Sequence, residues 1–197
     1  MVECWVGRMT YTGDLGFEMW VAPEYQRNLF DALLRAGQPH GIRLFGVRAL
    51  LTMRLEKMFG TWFREYRPIF TPYESRMDRY IKLDHDFVGR DALEAAGPAK
   101  RYLSYFEVEP DPSDPADVIG DEPIWHDGPQ GWRVVGWVTS GGYAHYSRMS
   151  LALGYIEAGV ADDPSGGAFE IEIIGQRRPA RLLHEPVLDP QGTRMRS

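Results

Sequence analysis

The sequence contains a single cysteine, Cys4, among 197 residues. One thiol excludes an internal disulfide framework and any cysteine-rich zinc cluster. Cys4 lies in an apolar stretch, where a small buried side chain is expected rather than a nucleophile. The histidines are scattered, and no two have the i, i+4 spacing of a helical metal pair. The sequence therefore predicts no metal site.

Long apolar runs and an excess of positive charge are also missing. No stretch approaches the roughly 20 apolar residues that cross a bilayer, and the amino end is strand-like rather than a signal peptide. A net charge of −6 provides no basic field for nucleic acid or anionic lipid. We expect a soluble, cytoplasmic protein with small-molecule or protein partners, and with no nucleic acid and no membrane among them.

Several nucleotide-binding and hydrolase motifs are absent. The sequence has no P-loop, no Gly-x-Gly-x-x-Gly after a strand, no Gly-x-Ser-x-Gly elbow and no His-Glu-x-x-His. What it does have is 44% hydrophobic and 13% aromatic residues, enough to bury a substantial core. We expect this core to be divided between two small domains.

A glycine-rich turn between residues 9 and 18 is the sharpest local signal. Gly13 and Gly16 bracket the turn, which predicts a hairpin between two strands, the first of them over residues 2–10. On the outgoing strand, alternation predicts a core face with three apolar side chains: Phe17, Met19 and Val21.

The opposite face of that strand carries Glu18 and Trp20. An acid beside an indole can bind a flat, hydrogen-bonding heterocycle, because ring stacking and a carboxylate acceptor act together. The alternative is a solvated strand face with one half-buried tryptophan.

Helical patterns follow over residues 23–37 and 45–58. Arg48 and Arg54 flank the apolar stripe of the second helix. Each arginine either reaches solvent and pairs with an acid, or directs its planar guanidinium at a carboxylate or polar ring of a ligand. The aromatic and arginine-rich stretch 59–72 predicts an ordered loop of the kind that often belongs to a site.

The remaining pattern divides the chain near Gly97-Pro98. A short strand over 80–83 and a small helix over 87–96 precede that dipeptide. Beyond it, short strands predict a small sandwich or barrel without helices, and residues 141–146 predict a loop. The predicted strands are 102–108, 122–125, 132–140, 150–156, 168–174 and 177–183. The predicted fold class is α+β, with an α+β domain over 1–98 and a β-barrel domain over 99–197.

Residues 11–18, Tyr-Thr-Gly-Asp-Leu-Gly-Phe-Glu, resemble the Tyr-Thr-Gly-Glu-x-Gly-Phe-Glu segment of the folate-dependent aminomethyltransferases, the T-protein family of the glycine cleavage system. Residues 46–57 are similar to the family's Gly-x-Arg-x-x-x-x-x-Arg-Leu-Glu helix, and 71–74 to its Thr-Pro-x-Glu. The Lys-Leu at 82–83 and Phe-Val-Gly-Arg-Asp-Ala-Leu at 87–93 match as well. Later stretches resemble the barrel of the dimethylglycine and sarcosine dehydrogenase branch: 120–124, 138–141, 151–156 and 189–196.

The resemblance implies a partial ferredoxin-like, folate-binding α+β domain followed by a barrel, with tetrahydrofolate in a central channel. It implies one-carbon transfer from an amine to tetrahydrofolate. Glu18 is then the carboxylate that binds the pterin ring, with Trp20 on the same strand face. Tyr11 lies beside the pterin pocket, and Arg48 lies near the benzoyl-glutamate or the channel wall.

The resemblance also implies what this chain lacks. The family's proposed catalytic aspartate lies in an amino-terminal portion with no counterpart here, so we assign no catalytic residue. We expect a fragment or truncated family member, incomplete at its amino end. The alternatives are a non-catalytic scaffold that pairs with a separate amino-terminal half or a dehydrogenase partner, and a folate-dependent demethylase.

Overall fold

The computed structural model describes residues 2–162 and 167–196. The first half of the chain contains a two-stranded antiparallel sheet, in which Gly7 lies opposite Glu18, and three helices. These elements are β1 (Trp5–Gly7), β2 (Glu18–Trp20), α1 (Gln26–Gly37), α2 (Val47–Leu55) and α3 (Arg90–Ala95). Single 3-10 turns over Pro23–Tyr25 and Gln38–His40 flank α1.

The second half forms a closed antiparallel barrel in the order β3-β6-β5-β4-β7-β8. Its strands are β3 (Arg101–Val108), β4 (Pro123–Gly128), β5 (Gly131–Ala144), β6 (Met149–Glu157), β7 (Phe169–Ile173) and β8 (Gln176–Leu183). A short helix, α4 (Ala158–Asp162), follows β6. Within residues 2–162 and 167–196, no helix combines the length and apolar character that a membrane crossing needs.

Glycine permits the closest strand contact in the barrel. A Cβ atom added at Gly136 of β5 would lie 1.8 Å from the carbonyl oxygen of Tyr155 in β6. That separation is far shorter than a van der Waals contact, and a backbone atom cannot move aside as the end of a flexible side chain can. The approach of β5 to β6 therefore requires a residue without a side chain at this position.

The core lies mainly inside the barrel. One cluster of buried side chains fills its centre, among them Phe106, Ile124 and Ile171. A second cluster joins Leu55 of α2 to Tyr105 and Leu153 of the barrel. Within the described residues, Leu55 is the only buried apolar side chain before Tyr105. The described part of the first half thus has no apolar core of its own, and its one buried apolar side chain packs on the barrel.

The structure confirms the α+β fold class and the carboxyl-terminal barrel. All six predicted barrel strands are present, with ends shifted by a few residues. The loop predicted over 141–146 is wrong for residues 141–144, because β5 continues to Ala144, whereas residues 145–146 lie in the turn that follows. Gly141 serves close packing there, since an added Cβ would lie 2.7 Å from the carbonyl oxygen of Val118.

Three further local predictions are wrong. The second half was predicted to contain no helix, but it contains α4, whose five residues are too few to show a helical period in the sequence. The first strand extends only over Trp5–Gly7, because β2 offers three partners. Residues 81–83 pair with no described strand and follow a 3-10 turn over Asp78–Tyr80.

The predicted core face of β2 is also wrong. Phe17 is 58% exposed and Met19 is 40% exposed. Alternation does place these side chains on one face, but helix α1 covers that face only in part, since Met19 and Val21 line an open cavity together with Leu29 and Leu33 of α1.

Candidate functional site

Two neighbouring cavities are lined by α2 and the loop after it, and the second of them also by the barrel. The first, the aromatic cavity, has a volume of about 470 Å³ and walls that are almost entirely apolar. Its lining residues are Tyr11, Val47, Leu50, Leu51, Gly60, Thr61, Trp62, Phe63, Tyr66 and Met77. Most come from α2 and from residues 60–66.

The second, the arginine cavity, has a volume of about 230 Å³ and shares Leu51 and Phe63 with the first. Three guanidinium groups and two hydroxyl side chains of β5 contribute to its walls. Its lining residues are Arg48, Leu51, Thr52, Arg54, Phe63, Arg64, Ile119, Thr139, Ser140 and Gly141. An apolar, aromatic space therefore adjoins a cationic one.

Tyr11 is held at the aromatic cavity by its own hydrogen bond. Its hydroxyl donates to the carbonyl oxygen of Gly60 at 2.8 Å, and its ring stacks on Phe59 with centroids 6.0 Å apart. Burial raises the pKa of the Tyr11 phenol, and the positive charge of Arg54 acts in the opposite direction. Tyr11 therefore stays a neutral donor, and its ring forms part of the cavity wall.

The three arginines differ in how they are paired. Arg64 Nη1 lies 3.2 Å from the exposed carboxylate of Asp121. Arg54 is 3% exposed and donates to the carbonyl oxygen of Phe59 at 2.8 Å, but its Nε has no partner among the described residues. Arg48, one turn before the middle of α2, is exposed to solvent. Arg48 and Arg64 are thus the accessible positive charges of this cavity.

A buried carboxylate, Glu65, fixes the loop that both cavities share. Glu65 is completely buried, and its Oε2 accepts hydrogen bonds from the backbone N–H of Thr61 at 2.7 Å and the hydroxyl of Thr61 at 3.0 Å. Arg54 Nη1 lies 3.4 Å from the same oxygen. The hydroxyls of Thr139 and Ser140 donate to Oε1. Five donors from three chain segments therefore satisfy one negative charge.

A β-bulge explains how consecutive residues of β5 both reach Glu65. The pairing of β5 with β6 shifts register between Val138 and Ser140. In a regular strand, Thr139 and Ser140 would point to opposite faces. The extra residue of a bulge re-aims one side chain, so both hydroxyls face the carboxylate.

The loop is docked on the barrel by a second buried contact. Tyr155 of β6 donates its hydroxyl to the carbonyl oxygen of Glu65 at 2.8 Å, and the hydroxyl of Ser75 lies 2.8 Å away. The ring of Phe70 stacks on Tyr155 with centroids 3.8 Å apart. Burial, reinforced by the negative charge of Glu65, raises the pKa of Tyr155. The cavity walls are consequently rigid where they meet the barrel.

The structure divides the four predicted site residues between separate places. Tyr11 and Arg48 line the two adjoining cavities. Glu18 and Trp20 line neither; both are exposed on β2. The Trp20 ring lies over Gly7, the residue paired with Glu18, since a Cβ added at Gly7 would lie 2.8 Å from that ring. The indole and the carboxylate therefore occupy neighbouring positions on one small sheet.

Sequence reasoning missed the residues that organise the site. Glu65 belongs to no motif, and the 138–141 stretch that resembles the family barrel does not indicate that Thr139 and Ser140 contact it. That contact depends on a β-bulge that the sequence does not predict. The one usable signal was the aromatic, arginine-rich composition of 59–72, which predicts a site loop. Arg64 of this stretch lines the arginine cavity, and Gly60 and four further residues line the aromatic cavity. These four are Thr61, Trp62, Phe63 and Tyr66.

Comparison with known families gives two matches along the chain. The GCVT N-terminal domain model matches residues 1–85. The model of the glycine cleavage T-protein C-terminal barrel domain matches residues 101–189. The two matched regions correspond to the sheet-and-helix half and to the barrel.

Curated relatives align over nearly the whole chain. Mitochondrial dimethylglycine dehydrogenase of Homo sapiens is 36% identical over 96% of this chain and 21% of its own length. Aminomethyltransferase of Moorella thermoacetica is 29% identical over 94% of this chain and 49% of its own length. The chain thus spans about a fifth of the dehydrogenase and about half of the aminomethyltransferase.

A solved structure shares the fold. The glycine cleavage system aminomethyltransferase T from Bartonella henselae superposes with a TM-score of 0.78 at 20% sequence identity. The superposition covers 95% of this chain and 50% of that one.

Proposed function

Because this chain belongs to the glycine cleavage T-protein family of aminomethyltransferases, on the dimethylglycine dehydrogenase branch, we propose that it forms part of a tetrahydrofolate site used in one-carbon transfer from an amine. Tetrahydrofolate, when bound, supplies the nitrogen that accepts the carbon unit. The residues of this chain bind and orient it.

The adjoining cavities are the observation that carries the proposal. A folate has flat ring systems joined to a glutamate tail with two carboxylates. An aromatic space of about 470 Å³ is within the usual size of small-molecule sites, and the arginine cavity adjoins it through Leu51 and Phe63. An aromatic ring that carries an anionic tail, as in the benzoyl-glutamate part of a folate, fits this pair of surfaces.

The proposed roles follow from these surfaces. Tyr11 provides an aromatic wall, and Arg48 provides an accessible guanidinium for a carboxylate of the tail. Glu18 carries the carboxylate proposed to bind the pterin, with the Trp20 indole beside it. The exposure of Glu18 leaves its oxygens available as acceptors. We assign no proton-transfer role within this chain.

Anaerobic titration calorimetry of the full chain with tetrahydrofolate tests the proposal. We expect weak binding that Glu18→Ala abolishes. Glu24→Ala is the matched control, because Glu24 is an exposed acid a few residues beyond β2 and lines neither cavity.

Two results would contradict this assignment. Tight binding that is unchanged in Glu18→Ala would remove Glu18 from the site. No heat of binding up to millimolar tetrahydrofolate would show that this chain does not bind folate by itself.

A second candidate function, an interaction module, is supported by a different observation. Both faces of the β1–β2 sheet are exposed: Val6 and its partner Met19 are 57% and 40% exposed on one face, and Trp5 and its partner Trp20 are 73% and 46% exposed on the other. Four exposed, large apolar side chains on one two-stranded sheet are typical of a protein interface. The proposed partner is a separate polypeptide with the amino-terminal half of an aminomethyltransferase, or the dehydrogenase that carries one.

Light scattering of the chain mixed with such an amino-terminal half tests this second candidate. We expect a one-to-one complex that is lost in Trp5→Ser. Trp62→Ser is the control, since Trp62 is equally exposed but lies on the loop at the aromatic cavity. Two separate monomers at all concentrations would contradict the interaction role.

A further inference from the structure

Residues 188–196, here called the clasp, leave the barrel and return to the first half of the chain. The backbone N–H of Leu188 donates to the carbonyl oxygen of Glu56 at 3.1 Å, just beyond α2. The ammonium group of Lys57, itself buried, donates to the carbonyl oxygens of Asp189 at 2.6 Å and Leu188 at 3.2 Å. The base of the clasp is therefore fixed to the end of α2.

The Asp189 side chain folds the rest of the clasp. Its carboxylate accepts the backbone N–H groups of Thr193 at 2.9 Å and Arg194 at 3.0 Å, and the Thr193 hydroxyl at 2.6 Å. These bonds, the Thr193 hydroxyl foremost, lower the pKa of Asp189. They hold the backbone so that the Arg194 side chain extends toward the opening turn of the chain.

Arg194 joins the clasp to that turn. Its Nε lies 2.7 Å from the Asp14 carboxylate, and its guanidinium carbon lies 5.1 Å from the ring centroid of Tyr146 on the β5–β6 turn. Nearby, Arg8 donates to the carbonyl oxygen of Arg196 at 2.9 Å. One guanidinium thus bridges the first half, the barrel and the clasp.

The turn over residues 13–16 packs tightly against the base of the clasp. Gly13 has φ +93°, and a Cβ added there would lie 2.7 Å from Lys57 Cγ and 3.2 Å from a methyl of Leu188. The same turn leads directly into β2, whose first residue is Glu18. β1 and β2 share only three residue pairs, and an isolated two-stranded sheet is at best marginally stable. The position of β2 therefore depends on contacts from outside the sheet.

We propose that Asp14 and Arg194 are positioning residues, through which the clasp holds the 13–16 turn and thereby sets the position of the Glu18 carboxylate. This inference rests on the proposed folate role of Glu18 for its functional part. Its structural part, the ordering of the turn, does not depend on a bound ligand.

Amide hydrogen exchange of the free chain tests the ordering. We expect Arg194→Gln and Asp14→Asn each to raise exchange at the backbone amides of 13–18 by up to about fivefold, the range for an exposed ion pair. The charge swap Asp14→Arg with Arg194→Asp is expected to restore protection. Arg90→Gln is the control, because it removes an ion pair of similar exposure, with Glu94, on α3. Unchanged exchange in Arg194→Gln, or no rescue by the swap, would overturn the proposal.

Tetrahydrofolate calorimetry on the same variants tests the positioning. We expect Arg194→Gln to weaken binding severalfold with an unchanged melting temperature, and the swap to recover the affinity. Faster amide exchange with unaltered tetrahydrofolate affinity would refute the role of the clasp in positioning Glu18, although the clasp would still order the turn. If the wild-type chain binds no tetrahydrofolate, the proposed function fails, and the exchange experiment still decides whether the clasp orders the turn.

Discussion

Thr139 Oγ1 donates a hydrogen bond to Glu65 Oε1 at 2.6 Å, although 74 residues separate the two side chains. The contact joins the loop of the candidate site to a bulged strand of the barrel. Through it, the positions of Trp62 and Phe63, three and two residues before Glu65, depend on the barrel.

The Glu65 network predicts a large stability cost when its charge is removed. Glu65→Gln leaves the buried guanidinium of Arg54 without its counter-charge, and breaking a buried ion pair in this way costs about 3–5 kcal/mol. Urea unfolding at neutral pH measures the change. Glu94→Gln, at an exposed ion pair, is expected to change the free energy of unfolding by under about 0.5 kcal/mol. A loss below about 1 kcal/mol for Glu65→Gln would contradict the role given to the network.

Alanine substitutions at two glycines are expected to change the stability of the protein in opposite directions. Gly136→Ala places a Cβ against the backbone of Tyr155, so we expect a loss of at least about 3 kcal/mol or failure to fold. Gly159→Ala in α4 meets no atom within 4 Å, and alanine is the better helix former by up to about 1 kcal/mol. Thermal melts of both variants provide the comparison. Equal melting temperatures would show that β5 and β6 are not held as close as described.

Stability is expected to fall in alkaline solution. Burial raises the pKa of Tyr155 and of Tyr105 above the ordinary value of 10.0, so above pH 10 the unfolded chain loses protons that the folded chain keeps. The free energy of unfolding is thus constant with respect to these groups below pH 10 and decreases above it. Urea midpoints between pH 8 and pH 11, with phenolate absorbance recorded in parallel, measure the effect.

A matched variant isolates the contribution of Tyr155 to that decrease. Tyr155→Phe removes one of the two strongly perturbed phenols, so its stability should depend less steeply on pH above 10. An identical alkaline slope in wild type and variant would show that Tyr155 ionises as freely in the folded chain as in the unfolded one.

Arg48 is expected to contribute to affinity without contributing to stability. A hydrogen bond to a charged ligand group is worth about 1.5–3 kcal/mol, so Arg48→Gln should weaken tetrahydrofolate binding by at least about tenfold. Its side chain is exposed, so the melting temperature should not change. Arg43→Gln, an exposed arginine before α2 that lines neither cavity, is the control. Equal affinities for the two variants would remove Arg48 from the site.

The barrel was predictable from sequence because its signals are local. Short strand-like runs follow one another at close spacing with turn residues between them, so each of the six strands could be placed within a few residues. One prediction failed: Gly141 and Gly142 are typical of a turn, but both lie within β5, where Val118 packs against Gly141 and α2 lies beside Gly142.

The first half was harder to predict because its described part has no apolar core of its own. Phe17 and Met19 alternate as a buried face would, yet both are exposed. For the site, Tyr11 and Arg48 could be proposed from a family resemblance, whereas Glu65 could not. Its significance arises from donors distant in sequence, and a single chain carries no pattern for such a contact.

The attachment of the first half through Leu55 has a consequence for synthesis of the protein. Ribosomes release the amino-terminal residues first, but the surface against which α2 packs is complete only when β6 has been made. At usual elongation speeds that interval lasts on the order of ten seconds. During it, Leu55 and the apolar face of α2 around it lack the barrel surface that buries Leu55 in the folded protein, so the unfinished chain exposes apolar surface of the kind that promotes aggregation.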